Sequence, residues 1–271
     1  MLRHVTLPQG FFLGAASSAW QTEGWNGKKD TQDSYMDLWY KNHKSAWHNG
    51  YGPAVATNFH DRYQEDVDLM KQIGLQCYRT SLNWARFLTD YENVVVDEEY
   101  AAYFEKMLDA CRAAGVEPMI CLEHYELPGE LFIKYGGWGS KHVVDLFVRY
   151  AEAAFQRFGR KVRYWFAFNE PVVVQTRVYL DSERWPFEQN SQKWMDWNYN
   201  KALATNRVMK LFKEGGYRQP GGKFGTIINV EMVRENRYLP RLDRNKRLVY
   251  RLLLKRRYRV VRLLFRIKDG R

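Results

Sequence analysis

Cysteine is scarce in this chain of 271 residues, which holds only Cys77, Cys111 and Cys121. Three cysteines do not make a disulfide framework. Cys77 and Cys121 fall inside predicted strands, where the thiol serves as a small hydrophobe. No apolar run approaches the roughly 18 residues of a membrane span. The opening MLRHVTLPQG lacks the apolar centre of a signal peptide, so a reducing cytoplasm is the expected location. The 6 histidines show no zinc-type spacing with each other or with cysteine. Neither a metal nor a cofactor is expected. P-loop and G-x-S-x-G sequences are absent, and no G-x-G-x-x-G follows the first strand. Nucleotide cradling, nucleophile-elbow and dinucleotide chemistry therefore lose their main signals.

Charge is present in excess but in one place. The formal net charge is +11. Residues 234–271 hold 12 Arg and 3 Lys against 3 acids, a net +12, which leaves 27 basic and 28 acidic side chains before them, a net −1. The preceding part is nearly neutral, so neither a nucleic-acid nor a membrane partner is expected for it. Hydrophobic residues make up 45% and aromatics 16%, with 10 Trp and 18 Tyr. That is enough apolar material for one large domain.

Strand and helix patterns alternate. Apolar strands are predicted over 11–16, 75–82, 118–123, 162–168 and 223–230. Helical spacing covers 58–73, 97–114, the stretch from Ser140 to Gly159, and 194–214. Asn58 and Ser140 are expected as caps, with Gly74, Gly115 and Gly215 as stops. Five strands separated by four helices indicate parallel βα units, compatible with a doubly wound sheet or an eightfold barrel. Polar residues favour the barrel. Gln21, Arg79, His124 and the Asn169–Glu170 pair lie near the C-terminal ends of successive strands, where barrel enzymes collect their reacting groups.

Cleaving a glycosidic bond needs an acid for the leaving oxygen and a second carboxylate for the oxocarbenium-like centre. Glu170, directly after a strand and before Pro171, is the candidate acid. Proline should hold the preceding residue extended. Gln21 offers a donor and an acceptor for paired hydroxyls. His124 can donate to a sugar hydroxyl. Arg79, inside a strand, calls for an anion, and a reacting carboxylate would serve.

Gly14-Ala15-Ala16-Ser17-Ser18-Ala19-Trp20-Gln21-Thr22-Glu23-Gly24, Tyr78-Arg79-Thr80-Ser81-Leu82-Asn83-Trp84-Ala85-Arg86-Phe87, His124 with Leu127-Pro128, Tyr135-Gly136-Gly137-Trp138 and Trp165-Phe166-Ala167-Phe168-Asn169-Glu170-Pro171 follow one another along the chain. On these stretches the sequence resembles glycoside hydrolase family 1. The resemblance implies a retaining (β/α)8 barrel, here with about five of eight βα units, acting on β-glucosides. Stretches such as 47–53, 91–97 and 176–180 look most like the bacterial 6-phospho-β-glucosidase branch. By resemblance Glu170 is the acid/base, Asn169 contacts the sugar 2-hydroxyl, Gln21 and His124 hold other hydroxyls, and Arg79 orients the nucleophile.

The family nucleophile stands in a Glu-Asn-Gly sequence, which this chain does not contain. Glu231 does not match that pattern and reads as structural. We expect residues 1–233 to be the N-terminal part of the barrel domain. Residues 234–271 are expected to be an atypical basic tail, the product of a frameshift or premature stop. A rival reading makes the tail a basic amphipathic helix for membranes or nucleic acid. Another makes the chain a non-catalytic sugar-binding half-barrel. Five strands cannot close an eight-stranded ring, so association or aggregation and very low activity are expected.

Overall fold

The computed structural model describes residue 6 and residues 8–229. The expectations for Val230, Glu231 and residues 234–271 lie outside the described residues. Among the described residues seven strands occur in chain order: β1 (Gly14–Ala16), β2 (Cys77–Ser81), β3 (Leu88–Asp90), β4 (Val95–Val96), β5 (Glu117–Glu123), β6 (Tyr164–Asn169) and β7 (Lys223–Ile227). The α-helices are α1 (Ala19–Thr22), α2 (Tyr35–Asn42), α3 (Phe59–Gln72), α4 (Trp84–Phe87), α5 (Glu98–Ala113), α6 (Gly129–Tyr135), α7 (Lys141–Phe158), α8 (Val173–Tyr179) and α9 (Ser191–Glu214). None of the described helices is long and apolar enough to cross a membrane.

Strands β1, β2, β5, β6 and β7 form one parallel sheet in that spatial order, and β3–β4 is a small antiparallel hairpin. The order decides the architecture. A doubly wound sheet reverses direction partway through its strand order. Here each main strand pairs with the next in the chain, as successive staves of a barrel do. The fold is five strands of an incomplete (β/α)8 barrel.

The helices α3, α5, α7 and α9 follow β1, β2, β5 and β6 as the outer layer. Helix α7 shows why the sequence folds this way. Its Val143, Phe147, Tyr150, Ala154 and Phe158 recur at helical spacing and are all buried. Phe147 stacks on Phe168 of β6 at 4.9 Å, and Tyr150 stacks on Trp84 at 5.2 Å. The Tyr150 hydroxyl reaches the carbonyls of Leu82 (3.0 Å) and Leu122 (2.9 Å). One side chain thus fastens the C-terminal ends of β2 and β5, from which the candidate site is built.

The cap expected at Ser140 forms, and Asp97 supplies one that was not expected. Asp97 accepts from the amides of Glu99 and Tyr100, and Ser140 from that of His142. Asn58 departs from expectation. It precedes α3 but adopts φ 54°, and its side chain makes no capping bond. The left-handed backbone is one that Asn tolerates. Strands are shorter than predicted: β1 starts at Gly14 rather than Phe11, and β7 ends at Ile227.

Two buried polar knots lie beneath the strand ends. Glu23 pairs with Arg86 at 3.2 Å and accepts from the hydroxyls of Tyr100 (2.9 Å) and Tyr103 (3.3 Å). Burial raises its carboxyl above the usual range, and the Arg86 charge opposes that. Glu23 therefore belongs to the framework. The second knot, Glu123 with Lys201, borders the cavity described below. All three cysteines are free and buried.

Gly14 marks the tightest contact of the first strand. A Cβ there would collide with the thiol and the backbone carbonyl of its cross-strand partner Cys77. Backbone cannot yield as a side-chain tip can. Gly14→Val should therefore unseat β1 and cost more than about 1–3 kcal/mol, the usual range for overpacking. Urea denaturation of both proteins measures it, and unchanged stability would contradict the packing.

Candidate active site

The register of the sheet brings the reacting groups together. Ala16 pairs with Arg79, and Glu123 pairs with Phe168. Ser17 therefore emerges beside Arg79, and His124 and Tyr125 emerge beside Asn169 and Glu170. These residues, with Gln21, Ala16, Val173 and Arg184, line one cavity of about 330 Å³ at the C-terminal ends of the strands. All five sequence candidates, Gln21, Arg79, His124, Asn169 and Glu170, share it.

Arg79 donates to the Ser17 carbonyl at 3.2 Å and to His124 Nδ1 at 3.0 Å. Arginine has no acceptor, so Nδ1 must be the unprotonated nitrogen and Nε2 carries the hydrogen. Burial, with the charges of Arg79 and Lys201, pushes the His124 imidazole down to about 3. The histidine is thus a neutral donor through Nε2 near neutral pH. Among the described residues Arg79 forms no ion pair with a carboxylate. The anion expected for it is not supplied by the strands seen here.

Glu170 contradicts the expectation of an extended residue before proline. Its φ is +47°. Its amide donates to the Ile227 carbonyl at 2.8 Å, and its carbonyl accepts from Val173 at 3.0 Å. These two bonds hold a turn that local sterics disfavour. Tyr125, also left-handed at φ 77°, donates its hydroxyl to Glu170 Oε2 at 2.7 Å. Burial, then this bond to the carboxylate, pushes the Tyr125 phenol up.

The floor beneath His124 and Tyr125 is made of two buried carboxylates. Glu126 accepts from Ser81 Oγ at 2.6 Å and from the His124 amide. Burial raises its carboxyl to about 8; the Ser81 bond opposes this and nearby Glu123 adds to it. Glu123 accepts from the Tyr125 amide at 2.9 Å and pairs with Lys201 of α9 at 3.2 Å, both side chains being 2% exposed. The two carboxylates fix the loop from which His124 and Tyr125 project.

Sequence reasoning missed Tyr125, Val173 and Arg184. Tyr125 sits beside His124, yet nothing in local spacing says that its hydroxyl turns toward β6. Val173 and Arg184 come from the segment after β6, which carries no strand or long-helix pattern. Among the described residues no group of three or more His, Cys, Asp or Glu could hold a metal ion.

Polar and charged side chains gathered on one cavity at the C-terminal ends of successive parallel strands are the arrangement of a barrel enzyme's site. Residues 3–243 match Glycosyl hydrolase family 1, and the chain belongs to that family. It is 30% identical over 223 residues to 6-phospho-beta-glucosidase GmuD of Bacillus subtilis (strain 168), covering 82% of this chain and 47% of that protein. It is 32% identical over 241 residues to Beta-glucosidase 24 of Oryza sativa subsp. japonica, covering 84% and 48%. The solved family 1 β-glucosidase from Thermotoga maritima superposes with a TM-score of 0.76 at 27% identity, covering 83% of this chain and 49% of that one. The chain spans about half the length of the relatives it matches.

Proposed function

We propose that this chain carries the sugar-holding and acid/base half of a retaining β-glycosidase site. Glu170 gives a proton to the departing glycosidic oxygen and later takes one from the incoming water. Asn169 contacts the 2-hydroxyl, Gln21 and the Nε2–H of His124 hold other hydroxyls, and Arg79 orients the nucleophilic carboxylate. The substrates are β-glucosides, in the 6-phosphorylated form suggested by the sequence stretches noted above and by the Bacillus relative. The reaction needs no cofactor, and the protein acts in the cytoplasm. On this reading residues 1–233 belong to the barrel domain, and residues 234–271 are a separate basic stretch of the sequence. No Glu-Asn-Gly nucleophile sequence occurs, so this chain alone turns over little substrate. The observation that carries the reading is the meeting of Gln21, Arg79, His124, Asn169 and Glu170 on one cavity.

Calorimetry with phenyl 1-thio-β-glucoside and its 6-phosphate tests it, alongside nitrophenol release from the oxygen analogues. Binding is expected, and His124→Ala should weaken it about tenfold, the value of one buried hydrogen bond. Acid/base catalysis alone contributes about 10²–10⁴-fold, so a larger acceleration would overturn the view that the nucleophile is missing. Equal affinity in wild type and His124→Ala would overturn the site.

A further inference from the structure

Arg184 is the one charged lining residue that the glycosidase reading leaves without work. It stands 14 residues beyond Glu170 in the segment between α8 and α9. Its guanidinium lies 5.8 Å from the Trp39 ring and 5.7 Å from the Tyr125 ring. Two aromatic faces hold a cation well, but they accept none of its directed N–H bonds. Its Nη1 is buried with no hydrogen-bond partner. Among the described residues Arg184 forms no ion pair, not even with Glu170 on the same cavity.

A buried, unpaired donor of a charged group is costly and calls for an acceptor. The backbone shows that this position is built. The Arg184 amide donates to the Arg177 carbonyl at 3.2 Å, and its carbonyl accepts from Phe187 at 2.8 Å. The Tyr35 hydroxyl donates to the carbonyl of the next residue, Trp185. The guanidinium is therefore presented before any ligand arrives, which lowers the ordering cost of binding. With His124 neutral, the cavity holds two guanidiniums, those of Arg79 and Arg184, against one carboxyl, that of Glu170.

We infer that Arg184 is an anion-recognition residue of this cavity, and that the preferred ligands are β-glucosides bearing a carboxylate, sulfate or phosphate. This inference rests on the glycosidase reading. Two sources fit the same chemistry: an anion on the leaving group, or a phosphate on the sugar. Phenyl 1-thio-β-glucoside, 4-carboxyphenyl 1-thio-β-glucoside and phenyl 1-thio-β-glucoside 6-phosphate separate them in calorimetry with the full chain.

At least one anionic probe should bind about tenfold or more tighter than the neutral one, the effect of a charge-assisted hydrogen bond. Preference for the carboxyphenyl probe places the anion on the leaving group, and preference for the phosphate places it on the sugar. In Arg184→Met that preference should vanish, and in Arg184→Lys it should survive in part, because the charge stays while the planar fork is lost. Circular dichroism of both variants checks folding. Equal binding of all three probes, or a preference that persists in Arg184→Met, overturns the inference and leaves the glycosidase reading standing. No binding of any probe sinks the glycosidase reading itself, and this inference falls with it.

Discussion

Lys201→Met should destabilise the fold by about 3–5 kcal/mol, the usual loss when one partner of a buried ion pair is removed. Glu123 and Lys201 are each 2% exposed and lie 3.2 Å apart. Without the ammonium, the buried Glu123 carboxyl loses its partner, with the Tyr125 amide as its remaining donor. Domains of this kind are stable by about 5–15 kcal/mol in total, so the loss is a large share. Replacing both residues, as Glu123→Gln with Lys201→Met, should recover most of it, because the stranded carboxyl is gone. Urea unfolding of the single and double variants forms a double-mutant cycle. A single variant within about 1 kcal/mol of wild type would show that the pair contributes nothing. The pair also ties α9 to the loop carrying His124 and Tyr125, so the single variant should loosen the cavity as well as the core.

Stability should be greatest between about pH 4.5 and 6.5 and should fall toward pH 8, as two groups titrate in opposite senses. Glu126 is raised from 4.5 to about 8. The unfolded chain releases that proton above pH 4.5 while the folded chain retains it, so stability is lost as pH rises to about 8. His124 is lowered from 6.5 to about 3. The unfolded chain takes up that proton below pH 6.5 while the folded chain resists it, so stability is lost as pH falls to about 3. Between 4.5 and 6.5 the two slopes oppose each other and a plateau results. Each unit of displacement corresponds to about 1.4 kcal/mol, so each limb, about 1.5 pH units wide outside the plateau, should be about 2 kcal/mol deep. Glu126→Gln should flatten the alkaline limb and extend the acid limb up to about pH 6.5, because the His124 slope is then unopposed. Melting temperatures from pH 3 to 9 measure both. An alkaline limb unchanged in Glu126→Gln would assign the decline to another group.

The central strands β5 and β6 were legible because most of their residues are buried and read as apolar runs, whereas β1 is exposed and β7 at most half-buried. Long helices such as α7 were legible because one apolar stripe recurs over 18 residues. The short helices α2, α6 and α8 have eight, seven and seven residues. Such lengths give too few turns for a stripe to emerge, and tertiary contacts decide them. In the site, the residues on or beside strand tips were legible because strand alternation and register fix them. Arg184 was not, since its approach depends on the loop bond to the Arg177 carbonyl and on the bond from Tyr35, remote in sequence, to the Trp185 carbonyl. The backbone of Glu170 was misread for a related reason. Local sterics before Pro171 favour an extended residue, and the amide bond to Ile227 overrides them.

The left-handed backbones of Tyr125 and Glu170 limit what evolution or a protein engineer can place there. Branched residues such as Val or Ile would add their own steric penalty at such angles. Asn or Gly would relax the chain but remove, respectively, the length or the whole of the reaching group. The two loops have thus accepted conformational discomfort in exchange for a link between the tips of neighbouring staves. Few alternative amino acids could occupy either place and keep that link.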